Sequence, residues 1–305
     1  MILTPEKKIE NKKIGKTYIF LAGPIQGAPS WQLGMPELEG VVWLSPRRKS
    51  YDNFNWQEQY DWETFALRMA DAVIFYVPEE EEKVPGRDYA QTTRTEIGEI
   101  VARGKKIFFC CNPSWPGSRY VITKLFSYGQ TGVYDTFEAL LDGVKDWMGE
   151  RPRGIYFTSD THFGSERALI LSKRPFHSVR EMDMTMMERW NNTVHPESVV
   201  YHLGDFGNEE WKKYLNGKIV QIKGNYDTEG IEGPVIREGY QLVHEPSKHT
   251  LPENVLFGHI HGRQLVKRYG LDVGVDAHDF RPISKEEVEF WMNAIKNHYD
   301  EEVFG

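Results

Sequence analysis

Ten histidines occur in the chain, none before His162, and from Asp160 and His162 onward a run of Asp, Asn and His residues follows. The pieces are Ser159-Asp160-Thr161-His162, Gly204-Asp205, Gly224-Asn225-Tyr226-Asp227, His244 and Gly258-His259-Ile260-His261, each preceded by an apolar stretch of strand type. Loops that deliver hard oxygen and imidazole donors to one edge of a sheet make the ligand set of a two-metal hydrolytic centre. In an extended segment residues i and i+2 project to the same side, so Asp160 with His162, and His259 with His261, each offer two donors to one cavity. Asp205 at a strand end can bridge two cations about 3.5 to 4 Å apart. Because this half has no cysteine, a thiolate zinc site is disfavoured, and the set fits two divalent ions drawn from Mn, Fe, Zn or Ni.

A second group of candidates lies upstream. Phe20-Leu21-Ala22-Gly23-Pro24 sets a small, sterically open turn at a strand end, where backbone can approach a sugar or phosphate. With it come Trp62-Glu63, Asp71 just before a buried strand, and Thr92-Thr93-Arg94-Thr95-Glu96 at a helix start. Glu96 is either a reactive carboxylate or a first-turn acid stabilised by the helix dipole. Arg94 is either a phosphate contact, which favours nucleotides over nucleosides, or a solvated helix-face cation. Trp31 and Trp56 either stack on a base or belong to the core.

The elements that must position these residues alternate in type. In the first half, strands are predicted at 17–22, 41–44, 72–77 and 106–110, and helices at 56–71, 92–103 and 137–148, with Tyr60, Phe65, Leu67 and Met69 as the apolar positions of the first helix. Such alternation implies a Rossmann-like or flavodoxin-like parallel sheet with ligands beyond the carboxyl ends of its strands, and Gly23, Asp71 and Cys111 are assigned to those ends. Residues 1–16 read as a polar tail and 149–154, rich in Gly, Pro and charge, as a linker, which leaves domains at 17–148 and 155–305. Beyond the linker, strands are predicted at 155–159, 199–203, 219–223, 241–243, 255–257 and 271–275, and helices at 179–193, 208–215 and 284–297. His202 and His195 are assigned to the core, His177, His249 and His298 to the surface, and Asp276 with His278 to a structural turn.

Composition narrows the function classes. The net charge of -8 is shared by both halves, so the cationic footprint of a nucleic-acid binder is not visible. No apolar run approaches a membrane span, and Cys110-Cys111 make no disulfide framework. The expectation is a cytoplasmic protein acting on small molecules, with its oligomeric state undetermined.

The motif order D-x-H, G-D, G-N-x-D, H, G-H-x-H resembles the calcineurin-like metallophosphoesterase family over nearly all of residues 154–305. That resemblance implies an α/β/β/α sandwich in which Asp160, His162, Asp205 and His261 bind one metal and Asp205, Asn225, His244 and His259 the other. It implies in-line attack of an activated water on phosphorus, with both cations neutralising the developing charge. Family members commonly carry a histidine after the asparagine, and this chain has Tyr226; a phenol of pKa about 10 can donate a hydrogen bond but does not shuttle protons near neutrality, so phosphodiesters become plausible substrates. Asp227 would orient a neighbouring ligand.

Residues 17–147 resemble the nucleoside 2-deoxyribosyltransferase-like family. By that likeness Glu96 is the nucleophile at the anomeric carbon, Asp71 binds the base or transfers a proton, Gly23 and Pro24 line the sugar site, and Asp88 is the nearest acidic partner. The combined expectation is a bifunctional enzyme of nucleotide metabolism, in which a dimetal phosphoesterase is fused to an N-glycosidic-bond transferase or hydrolase. Two alternatives stay open: a first domain that only binds or docks nucleotides, and a metal-dependent nuclease.

Overall fold

The computed structural model describes residues 1–52 and 54–299. By internal contacts the chain falls into two compact units, Met1–Arg151 and Pro152–Gly305.

The first unit contains β1 (Ile2–Leu3), β2 (Thr17–Ala22), β3 (Val41–Leu44), α1 (Trp56–Met69), β4 (Ala72–Val77), α2 (Gln91–Ala102), β5 (Lys106–Cys111), α3 (Ser118–Ser127), β6 (Val133–Tyr134) and α4 (Phe137–Glu150). Its strands form one parallel sheet in the order β1-β3-β2-β4-β5-β6. Counted from β2 this is the 2-1-3-4-5 order of doubly wound sheets, whose order reverses between β2 and β4. Alternate residues Ile19, Leu21, Ile74, Phe108 and Cys110 pack with Leu140 and Val144 of α4, while Phe20, Val73, Phe75 and Phe109 between them are equally buried. Both faces are therefore covered, and the strands read as continuous apolar runs for that reason.

Helix α1 starts where the Asn55 side chain accepts from the amides of Gln57 and Glu58. It buries Trp62, Ala66 and Met69, an i, i+4, i+7 stripe, whereas Tyr60 is exposed and stacks on Trp56. The apolar face expected around Tyr60 is thus rotated, and of the expected positions Met69 is the buried one.

Three further expectations differ from the structure. Residues 1–16 do not trail as a tail: β1 pairs with β3, Ile9 is buried, and Lys12 donates to Asp71. Gly149 and Glu150 continue α4 rather than opening a linker. Asp71 stands before β4, at the amino edge of the sheet, so it lies opposite the carboxyl ends to which it was assigned.

The second unit contains β7 (Ile155–Thr158), α5 (Glu166–Leu171), α6 (Val179–Thr193), β8 (Val199–His202), β9 (Lys218–Gln221), β10 (Val235–Arg237), β11 (Tyr240–Leu242), β12 (Val255–Phe257), β13 (Val266–Lys267), β14 (Gly270–Asp272), β15 (Ile283–Ser284) and α7 (Lys285–His298). Two sheets form, β15-β7-β8-β9 and β10-β11-β12-β14-β13, and β7, β8 and β9 run parallel. One hydrophobic cluster joins them: Phe157, Leu203 and Ile222 meet Leu242, Leu256 and Leu271, together with Val288 and Ile295 of α7. Burying a side chain of this size stabilises the fold by about 1.5–3 kcal/mol. Helix α7 begins with a full capping box between Ser284 and Glu287.

Candidate functional site

Five loops of the second unit leave the carboxyl ends of β7, β8, β9, β11 and β12, and each carries one of the motifs. Asp160, His162 and His261 bring one ligand atom apiece to within 4.8 Å of one another, and so do Asp205, His244 and His259. The two groups adjoin at Asp205, whose Oδ2 is 3.6 Å from His162 Nε2 and 3.3 Å from His244 Nε2. Asn225 joins the second group through Nδ2, 3.2 Å from His259 Nδ1.

The backbone that achieves this is not extended. Asp160, His162, Asp205, His259 and His261 all have positive φ, between 49° and 72°. A left-handed conformation costs a residue with a side chain about 1–2 kcal/mol, and such outliers persist where surrounding structure enforces them. The i, i+2 reading therefore has the wrong geometry. It also pairs the wrong partners at 259 and 261, since His259 turns to one group and His261 to the other.

Glycines let the loops close on one another. A Cβ on Gly224 would stand 2.3 Å from Asp205 Oδ1, and one on Gly258 would stand 2.3 Å from Asp160 Oδ2. Asp227 locks the same turn, accepting from the amides of Asp205 (2.7 Å), Gly224 (2.8 Å) and Phe206 (3.1 Å).

The residues fit divalent cations on their own chemistry. Asp160 Oδ1 and His162 Nε2 are buried and have no hydrogen-bond partner, although an unsatisfied buried polar atom costs about 1–3 kcal/mol. Their spacing suits an ion held by bonds of about 2.0–2.2 Å. Burial alone would raise the Asp205 carboxyl, but hydrogen bonds from His244 and the Tyr226 amide, with the charges of both imidazoles, hold it at about 2. Burial pushes the His162 imidazole down, which keeps a lone pair available. Tyr226 is 66% exposed, and its ring stands edge-on to His162 at 6.0 Å between centroids.

Other polar residues sort themselves by contacts. His202 is wholly buried and bonds Thr161 Oγ1, and His195 accepts from the Glu197 amide. His249 is half-buried and stacks on Tyr269 rather than standing free on the surface. His278 contacts the Asp272 carbonyl, whereas the Asp276 carboxylate reaches His261. Asp276 is thus more than a turn residue, and the sequence signal for it is only its place two residues after Gly274.

In the first unit a cavity of about 930 Å³ opens where the strand order reverses, lined by Gly23, Pro24, Glu63, Asp88 and Glu96 among others. Gly23 has φ +147°, and a Cβ there would lie 2.2 Å from the Tyr76 carbonyl oxygen, so only glycine lets β2 turn so close to β4. Burial, then the nearby Glu63 and Glu99 carboxylates, raise Glu96 to about 7. Glu63 is itself raised by burial and accepts from Gln59 Nε2 at 2.6 Å. Glu63, carried one position beyond the buried Trp62 of α1, is therefore the cavity-lining carboxylate that acts on Glu96; Asp88 is exposed at the cavity wall.

Asp71 and Arg94 do not join this cavity. Asp71 is buried, 2.9 Å from Lys12 Nζ and 2.7 Å from the Tyr18 amide, because a carboxylate at the amino edge needs a cation and finds one in Lys12. Arg94 lies over the Trp115 ring at 4.8 Å and donates to the Pro116 carbonyl, in a neighbouring cavity of about 760 Å³. Trp31 packs edge-on to Tyr76 and Phe137, and Trp56 is exposed; neither lines the Glu96 cavity. Among the described residues no helix is long and apolar enough to cross a membrane.

Comparison with known proteins places these observations. The family model described as Nucleoside 2-deoxyribosyltransferase like matches residues 16–114. A solved structure, the protein of unknown function AQ665 from Aquifex aeolicus, is 21% identical with a TM-score of 0.36, over 46% of this chain and 100% of that one. The uncharacterized protein MJ1445 of Methanocaldococcus jannaschii is 36% identical over 153 residues, covering 43% of this chain and 87% of the archaeal protein. The chain therefore belongs to the family of that archaeal protein, and it carries a nucleoside 2-deoxyribosyltransferase-like domain at residues 16–114.

Proposed function

We propose that the second unit is a calcineurin-like metallophosphoesterase of α/β/β/α type, and that the first cleaves or transfers the N-glycosidic bond of a nucleoside or nucleotide. The observation that carries the phosphoesterase reading is the meeting of two three-residue groups at Asp205 Oδ2, beside the unpartnered Asp160 Oδ1 and His162 Nε2. Asp160, His162, Asp205 and His261 would hold one divalent ion, and Asp205, Asn225, His244 and His259 the other, drawn from Mn, Fe, Zn or Ni. Such a pair supplies Lewis acidity and a water acidic enough to react at neutral pH.

The chain's own groups shape the rest. Asp205 stays anionic, and Asp227 keeps its loop rigid. Tyr226 flanks His162 with a hydrogen-bond donor in place of an imidazole, which favours phosphodiesters and good leaving groups.

In the first unit Glu96 forms a bond to the anomeric carbon as the carbon–nitrogen bond breaks and the departing base takes a proton from solvent water; water or a second base, giving a proton back to solvent, then cleaves the glycosyl ester and frees the Glu96 carboxylate. The family match supports a nucleoside-type substrate, and the enclosure of Glu96 beside Glu63 supports a reactive carboxylate. The position of Asp71 at the far edge favours a second reading, in which this cavity only binds nucleotides.

The test is a panel of p-nitrophenyl phosphate, bis-p-nitrophenyl phosphate, deoxynucleosides and nucleoside monophosphates given to the full chain with Mn²⁺ or EDTA. Phosphoester cleavage should vanish in EDTA while base release persists. Cleavage that survives full chelation removes the dimetal reading, and binding without base release by any substrate selects the binding-module reading.

A further inference from the structure

His261 and His244 present their rings to the candidate metal groups by different means. His244 Nδ1 is 2.8 Å from the Leu203 carbonyl oxygen, a backbone contact that no side-chain substitution deletes. His261 Nδ1 is instead 2.9 Å from Asp276 Oδ2. A carboxylate only accepts, so the proton of that contact resides on Nδ1 and the lone pair on Nε2, the nitrogen left to serve as a ligand.

Behind Asp276 stands Arg174, whose side chain is fully buried. Its Nε and Nη2 grip Asp276 Oδ1 and Oδ2 at 2.8 Å each; Nη2 also donates to the Asp160 carbonyl at 2.6 Å, and Nη1 to the Thr161 carbonyl at 2.9 Å and the Met182 sulfur at 3.5 Å. A guanidinium has five N–H donors, and each finds an acceptor here. Two of those acceptors belong to the positive-φ turn that carries Asp160 and His162, and two belong to the carboxylate that aligns His261. One cation thereby ties the two loops of a single ligand group, and it touches no atom of the other group.

We infer that Arg174 and Asp276 are the positioning pair of the Asp160–His162–His261 group, setting its histidine tautomer and loop geometry independently of the Asp205–His244–His259 group. The inference rests on the dimetal reading above. Lysine cannot replace Arg174, because three donors on a flexible stem cannot serve two loops and a bidentate carboxylate together. Loss of such a partner typically weakens metal affinity about 10–100-fold.

The test is Mn²⁺ titration of the full chain by calorimetry, paired with ¹⁵N NMR of the imidazoles before metal is added. Wild type should bind two ions, and its His261 should carry the Nδ1–H tautomer. Asp276→Asn and Arg174→Lys should each weaken one of the two ions about 10–100-fold, leave the other unchanged, and mix the His261 tautomers. Equal weakening of both ions, or an unchanged pair of affinities in folded Asp276→Asn, overturns the positioning role. A wild-type chain that binds no Mn²⁺ overturns the dimetal reading itself, and an Nε2–H tautomer of His261 in wild type overturns the inference even if two ions bind.

Discussion

The two units hold their key carboxylates in opposite electrostatic states. Glu96 is enclosed beside other carboxylates, and its proton is retained up to about 7. Asp205 is buried by its loops, yet hydrogen bonds and imidazoles hold it at about 2. Burial penalises the charged form in both cases, and what differs is whether donors and cations offset it. A carboxylate poised near neutrality suits a group that must gain and lose charge in turnover, and one pinned as an anion suits a permanent ligand.

The largest break of this contrast is Asp205→Asn. Removal of the carboxylate that adjoins both groups should lower phosphoester kcat/KM on the order of 10³-fold or more, with loss of most bound metal by elemental analysis, while base release is unchanged. Next is Glu96→Gln, expected to lower base release about 10³-fold with full metal content, read by chromatography of the freed base.

Asp71→Ala probes the far edge of the same sheet. Lys12 would remain buried without its partner, so stability should fall by about 3–5 kcal/mol in denaturant titration, with KM for the nucleoside substrate unaltered. A changed KM with unchanged stability would return Asp71 to the cavity.

The pH dependence sharpens the comparison further. As the proposed nucleophile Glu96 must be ionised, so base release should rise through about pH 7, and Glu63→Gln should move that inflection down by removing a neighbouring negative charge. For stability the sign is opposite: the folded state binds the Glu96 proton more tightly, so this group's contribution falls as pH rises from the usual carboxylate range towards 7. The smallest effect is Tyr226→Phe, which removes one hydroxyl donor at an exposed position. A loss of about 3–10-fold in phosphodiester kcat/KM is expected, and an increase instead would exclude the phenol from leaving-group stabilisation.

Local pattern made much of the framework legible. The runs 17–22, 72–77 and 255–257 are strands in the structure with those bounds, and 179–193 is a helix with those bounds, because apolar continuity and a Ser178 cap are local signals. The short β1, β10, β13 and β15 carry no comparable signal, since two or three residues become strand only when a neighbour pairs with them. Residues 1–16 look polar, yet partners 40 to 60 residues away order them.

Residue type and order, Asp160, His162, Asp205, Asn225, His244, His259 and His261 in sequence, were set by the chain alone, as was the alternation that makes a parallel sheet. Tertiary structure decided everything that depends on distant approach. The positive φ of five candidate ligand residues, the division of His259 from His261, the removal of Asp71 and Arg94 from the Glu96 cavity, and the grip of Arg174 on Asp276 across 102 positions all belong to that class. The reason is physical: helix and strand patterns follow from neighbours a few residues apart, whereas a side chain's partner and its charge state follow from whatever packing brings within about 4 Å.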